Sequence, residues 1–378
     1  MVSRLLVVLV VLATSSYTFS QDQRRIVFSD LTSQSKSPGS TSLGQIPIPL
    51  EIAAMEVIPA VGKNAHIALN NDGTFLVIGS DNGSVNIWDI GGDAPSQKLT
   101  LVVRSGLTIP AYMPGTVQVD IHPKFPTAGA VGSIGNEHPI RNAPGSNRLA
   151  RIIWIIQNGK QSFLATGGAK IGRKELKEGA SGFLFSPDGQ FEAQFDLLRV
   201  FVTRKVDPSA DKAEQRSQRE VWSKEFEKDR SILGICWVGE YLAVLTDEKI
   251  IAWKPEVGGT KPWFLFPSKG AKAISGNGDL LIAVGPKTSL YNLSEKTTAE
   301  LTSSCSSACF SLDSQFLFTA TEAGEITLWN MQSGEALSVI KIGKTVTSMD
   351  AGMPKSGQYV LAVGTEDGGV HVFRILKK

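Results

Sequence analysis

The chain has 378 residues, 42% hydrophobic and 20% charged, with a net charge of +2. That composition supplies a sizeable core and excludes a wholly disordered chain, which would be poor in apolar residues and rich in net charge. The near-neutral balance carries no basic stripe of the kind a nucleic-acid-binding domain needs.

The first twenty residues read as a secretory signal peptide. Arg4 is the positive start, Leu5 to Ala13 form an apolar run of nine, and Thr18 and Ser20 place small residues before a cut at Gln21. A buried strand or an uncleaved anchor is the alternative, but nine apolar residues fall short of the ~20 that span a bilayer. No second run approaches that length, so the expectation is a secreted, periplasmic or cell-envelope protein with no membrane span after cleavage. Residues 21–45 read as a flexible polar linker, richest in Ser, Thr, Gly, Gln and Pro from Thr32 to Gln45. Within it, Arg24 to Leu31 (RRIVFSDL) could form a short strand.

From residue 46 to 378 one pattern recurs. An apolar strand leads to a turn rich in Asp, Gly and Asn, then a second apolar strand, a short acidic or Gly turn, and an alternating strand that ends in an aromatic. The clearest copy is HIALNNDGTFLVIGSDNGSVNIWDI, His66 to Ile90, and its best partner is ACFSLDSQFLFTATEAGEITLWNM, Ala308 to Met331. Weaker copies run over Gly182 to Val206, Cys236 to Lys254, Ala271 to Leu293 and Ser348 to Ile375, with an irregular unit over Val117 to Ile156. The terminal aromatics are Trp88, Trp154, Phe201, Trp253, Tyr291, Trp329 and Phe373, spaced 66, 47, 52, 38, 38 and 44 residues apart. A spacing of ~40–45 is that of a four-stranded propeller blade. The longer intervals coincide with two insertions, 104–149 and 207–230, the second of which could hold an outer strand near Val221-Trp222.

Period-two alternation, as in Val85-Asn86-Ile87-Trp88, argues half-buried strands. Asp72, Asp81, Asp188, Asp313 and Asp367 recur at the turns, where Asp, Asn and Gly tolerate the backbone that tight turns demand. The expected fold is therefore all-β: a seven-bladed propeller of four-stranded antiparallel blades. The last unit lacks an outer strand, and Ile48 to Ile58 is an unassigned extended stretch that would complete it and close the ring.

Trp88-Asp89, the Ser186-Pro187-Asp188-Gly189 turn and the 38-residue spacing make residues ~46–378 resemble the WD40-repeat family, as a divergent member. Only one true Trp-Asp dipeptide is present. The Gly-His pair of that family is missing, so its His–Ser/Thr–Asp–Trp hydrogen-bond network is expected to be incomplete in every blade. The resemblance implies a rigid platform for partner proteins, bound on one face or on the 104–149 loop.

The remaining chemistry-bearing residues point away from catalysis. Cys236, Cys305 and Cys309 are odd in number and read as buried apolar residues rather than a disulfide framework or a zinc site. His66 and His371 fall in strands; His122 and His138 lie in the irregular unit without a defined metal-ligand spacing. Asn82 and Asn292 formally match glycosylation acceptors. No nucleophile elbow, phosphate loop or zinc-protease motif occurs. The expectation is a non-catalytic, monomeric interaction scaffold without cofactor or metal, against the alternatives of a propeller enzyme (a quinone-cofactor dehydrogenase or a hydrolase) or a structural envelope protein.

Overall fold

The structure is a computed structural model and describes residues 26, 29–30, 50–59, 62–81, 84–92, 95–102, 118–121, 123, 127–133, 149–155, 182–195, 199–204, 220–226, 232–255, 262–268, 270–301, 303–354 and 358–377. The leader at 1–20, His122, His138 and most of both insertions lie outside the described residues.

In chain order the strands are β1 (Ser29–Asp30) and β2 (Leu50–Ile58), then a first sheet of β3 (His66–Leu69), β4 (Phe75–Gly79), β5 (Ser84–Asp89) and β6 (Ser96–Val102). The second sheet is β7 (Gln118–Ile121), β8 (Thr127–Ser133) and β9 (Leu149–Ile155). The third is β10 (Gly182–Phe185), β11 (Phe191–Phe195), β12 (Arg199–Arg204) and β13 (Glu220–Glu225). The fourth is β14 (Ile232–Val238), β15 (Tyr241–Thr246), β16 (Lys249–Trp253) and β17 (Phe264–Pro267). The fifth is β18 (Ala273–Asn277), β19 (Leu280–Val284), β20 (Thr288–Asn292) and β21 (Thr297–Leu301), with β1 added outside β21. The sixth is β22 (Ser307–Phe310), β23 (Phe316–Ala320), β24 (Glu325–Asn330) and β25 (Ala336–Lys341). The last combines β26 (Val346–Gly352), β27 (Gln358–Thr365) and β28 (Val370–Lys377) with β2 as its outer strand.

The expectation of seven four-stranded blades in a closed ring is corrected. Six sheets have the four or more strands of a full blade. The irregular second unit yields a sheet of three among the described residues, and the fifth sheet has five strands. Among the described residues each sheet is open and separate, with no ladder joining one to the next. The fifth sheet gains a strand because an outer edge offers unpaired backbone groups that an extended segment can take.

All pairings are antiparallel. β2 runs against β28 from Leu50↔Lys377 to Ile58↔Val370, so an early strand and the last strand pair in one sheet. The first strands of the sheets touch in cyclic order, β3 to β7, β10, β14, β18, β22, β26 and back to β3. They therefore surround a common axis.

The core lies between sheets. Trp253 of the fourth sheet packs against Trp222 and Phe226 of the third, with ring centroids 5.3 and 5.9 Å apart. Tyr291 of the fifth meets Phe266 of the fourth at 4.5 Å. Trp329 belongs to the cluster between the fifth and sixth sheets, Phe373 to that between the sixth and last, and Trp88 to that between the last and first. In each case the aromatic that ends the third strand faces the preceding sheet. A sheet standing alone could not bury this face, so neighbouring sheets stabilise one another. Residues 21–45 are not wholly detached from this core: Ile26 is 5% exposed and packs between the fifth and sixth sheets.

Candidate interaction site around the axial cavity

The first strand of each sheet ends near the axis, and these ends enclose a cavity of ≈ 270 Å³ lined from every sheet. Asp120 of β7 and Asp350 of β26 border it from the two sheets that flank the first, and Asn277 of β18 borders it from the far arc. Strand alternation puts a polar side chain inward here, where apolar residues would otherwise stand.

Each of these side chains ties one sheet to the next. Asp350 Oδ2 accepts the Leu69 backbone N–H at 2.7 Å, and its Oδ1 accepts that of Ala351 at 2.9 Å. Asp120 repeats the arrangement: Oδ2 accepts Phe185 N–H at 2.6 Å and Oδ1 accepts Ile121 N–H at 2.9 Å. Asn277 Nδ2 donates to the carbonyls of Ser311 and Leu312 in the sixth sheet at 2.7 and 2.9 Å. Removal from water raises the Asp120 carboxyl to about 8, against the lowering effect of its N–H donor from Phe185; the charge of Asp350 raises it further. Burial likewise raises Asp350 to about 6.

Cys236 and Cys309 also line the cavity, at matching register positions in β14 and β22, and burial pushes both thiols up. All three cysteines are free and buried. His66 is held neutral, its imidazole lowered to about 4 by burial, and burial lowers His371 as well. Among the described residues no group of three or more His, Cys, Asp or Glu could hold a metal ion, and no helix is long and apolar enough to cross a membrane.

The turn aspartates sit where their side chains brace backbone. Asp72 accepts from the Thr74 hydroxyl at 2.6 Å, Asp188 from Ser186 at 2.6 Å, Asp313 from Ser311 at 2.6 Å and Asp367 from Thr365 at 2.5 Å. Asp81 accepts the Lys63 backbone N–H at 2.8 Å. The turns at Asp72, Asp188 and Asp313 follow first strands, so they share one end of the cavity; Asn71, Pro187 and Leu312 from these turns line it. Of the blade aromatics, Trp253, Tyr291, Trp329 and Phe373 are buried and Trp88 and Phe201 half-buried; for Trp154 only its place in β9 is described.

A fragment of the Trp–Thr hydrogen bonding is present. Trp329 Nε1 donates to Thr319 Oγ1 at 2.8 Å, and Thr319 lies two residues beyond Leu317, the cross-strand partner of Trp329. The same step from Leu76, opposite Trp88, reaches Ile78; from Leu242, opposite Trp253, it reaches Val244. Neither side chain can accept, and Trp88 Nε1 and Trp253 Nε1 are buried without a partner.

Residues 64–89 match the family described as WD domain, G-beta repeat. The chain has a β-propeller fold of WD40-like kind. The match covers the first sheet's β3, β4 and β5. No curated protein matches the chain.

Sequence reasoning singled out turn aspartates and missed the axial pair. Asp120 and Asp350 each interrupt an apolar first strand, in VQVDI and VTSMDAG. A lone acid in a strand that the pattern places inward is the signal that could have found them.

Proposed function

We propose that this chain is an exported, non-catalytic propeller that acts as a protein-interaction scaffold, presenting the turns at one end of its axial cavity to a partner protein. The observation that carries this reading is the use made of the polar groups at the axis. Both oxygens of Asp120 and of Asp350 accept backbone N–H groups, and the Asn277 amide spans two sheets. A propeller enzyme needs convergent groups at the axis whose hydrogen-bonding capacity is directed at substrate; here that capacity is directed at the neighbouring sheets. What results is a stiff ring, and loops on a rigid framework are where binding concentrates. Fold alone does not fix function, so the support rests on this arrangement and not on the family match.

Two measurements test the proposal. N-terminal sequencing of the protein recovered from outside the cytoplasm is expected to begin at Gln21. Affinity capture with the tagged full chain from the extracytoplasmic fraction is expected to return a specific protein whose recovery falls when Pro187 and Asn71 are replaced by Arg. Recovery of no specific protein counts against the scaffold. A turnover activity abolished by Asp120→Asn with the fold intact would favour the enzyme.

A further inference from the structure

The second unusual feature lies at the rim, away from the cavity. β1 pairs antiparallel with β21, Ser29 opposite Thr298 and Asp30 opposite Thr297. Three residues earlier, the Ile26 backbone N–H donates to Gly334 O at 2.7 Å. Gly334 belongs to the turn that joins β24 to β25 in the next sheet. The segment thus bridges two sheets, with its backbone held at both ends and one side chain, Ile26, in the crevice beside Leu301, Leu317 and Trp329.

The crevice is shaped for a passing backbone. Gly334 has φ +72°, and a Cβ placed on it would lie 2.2 Å from Ile26 O. Only glycine leaves room for an extended chain at that point. The fit is also incomplete: Thr297 Oγ1, on the residue opposite Asp30, is buried without a hydrogen-bond partner. An edge strand that supplies backbone pairing, a pocket for one aliphatic side chain and an unmet polar group has the elements of peptide recognition by strand addition.

We propose that the outer edge of the fifth sheet and the Gly334 turn form an acceptor groove for an extended peptide with an aliphatic anchor, occupied in cis by Ile26 and by the backbone of Ser29–Asp30. Because the segment belongs to the same chain, its pairing is intramolecular. A partner's strand must therefore outcompete it, or the segment must first be withdrawn. This groove is separate from the turn face invoked above, and the two can fail independently.

The test uses the full chain and a fluorescent peptide with the sequence of residues 22–34. Wild-type protein is expected to bind it weakly, because the groove is filled. The Ile26→Asp chain is expected to bind it saturably and at least tenfold more tightly. The same peptide carrying Asp in place of its Ile is expected not to bind, and Gly334→Ala in the Ile26→Asp chain is expected to remove the gain. Should Ile26→Asp fail to fold, Ile26→Ala, which withdraws the anchor without adding charge, is read in its place. Equal binding by the wild-type and a folded Ile26 variant, whether strong or absent, overturns the groove. If such a result accompanies specific capture of a partner by the full chain, the scaffold reading stands while the groove falls.

Discussion

The last sheet and the second sheet are built in opposite ways. The last combines strands far apart in the chain, β2 with β26 to β28; the second is made of consecutive strands. Yet among the described residues the discontinuous sheet makes several side-chain bonds to its neighbour. Ser348 Oγ donates to Ala65 O at 2.8 Å and accepts Ile67 N–H at 3.2 Å, Thr347 Oγ1 donates to Ala65 O at 2.6 Å, and Asp350 accepts Leu69 N–H. Arg374 adds bonds to Ile90 O and Gly92 O at 2.6 and 2.9 Å. At the second sheet the described counterpart is Asp120 accepting Phe185 N–H. Continuity of the chain is therefore not what holds neighbouring sheets. Apolar packing between sheets is supplemented by polar side chains, several of which lie where the last sheet meets the first.

The comparison can be broken most forcefully through packing. Phe373→Ala empties a site only 1% exposed between the sixth and last sheets and is expected to lower unfolding free energy by about 3–5 kcal/mol in urea titration. Ile121→Ala in the three-stranded sheet is expected to cost about 2 kcal/mol, the lower end of the range for such truncations. Equal losses would remove the distinction between the two regions.

Next in size are the axial carboxylates. Asp350→Ala and Asp120→Ala each leave a neighbour's N–H without its acceptor and are expected to cost about 1–3 kcal/mol. A larger loss at Asp120 than at Asp350 would mean that the sparser joint depends more on its single described tie.

The same pair sets a pH dependence. Both carboxyls are raised by burial, so between about pH 4 and their folded values the native chain binds more protons than the unfolded one. Stability from this source is present at low pH and is lost as pH rises, through about 6 for Asp350 and about 8 for Asp120. Thermal melts from pH 5 to 8 are expected to fall, and Asp120→Asn with Asp350→Asn is expected to flatten that slope. A slope unchanged in the double variant would refute the assignment.

The tryptophans give one effect of the same size as the axial carboxylates and one that is the smallest of all. Thr319→Val strips Trp329 Nε1 of its acceptor and is expected to cost about 1–3 kcal/mol. Val244→Thr offers Trp253 Nε1 the partner it lacks and is expected to return up to about 1 kcal/mol, an upper bound because the new hydroxyl is itself buried.

Much of the fold was legible because its causes are local. The alternating runs ending at Trp88 and Trp329, and the Asp-bearing turns beside them, mark strand ends by chemistry that needs no distant partner. That only three strands of the second sheet are described was not legible, since its irregular unit carries an aromatic, Trp154, that reads like the others. Nor was the fate of Arg24 to Leu31 fixed by its own residues: Ile26 is buried because the Gly334 turn, 308 positions away, leaves a crevice for it. The role of Asp120 and Asp350 was hidden for the same reason. Their acceptor function exists only once a neighbouring first strand brings its N–H groups alongside.

The pairing of Leu50 with Lys377 has a mechanical consequence. Force applied through these two residues would fall on the same end of one ladder, peeling β2 from β28 one bond at a time instead of shearing all of them together. A molecule gripped there should give way at low load as this ladder unzips.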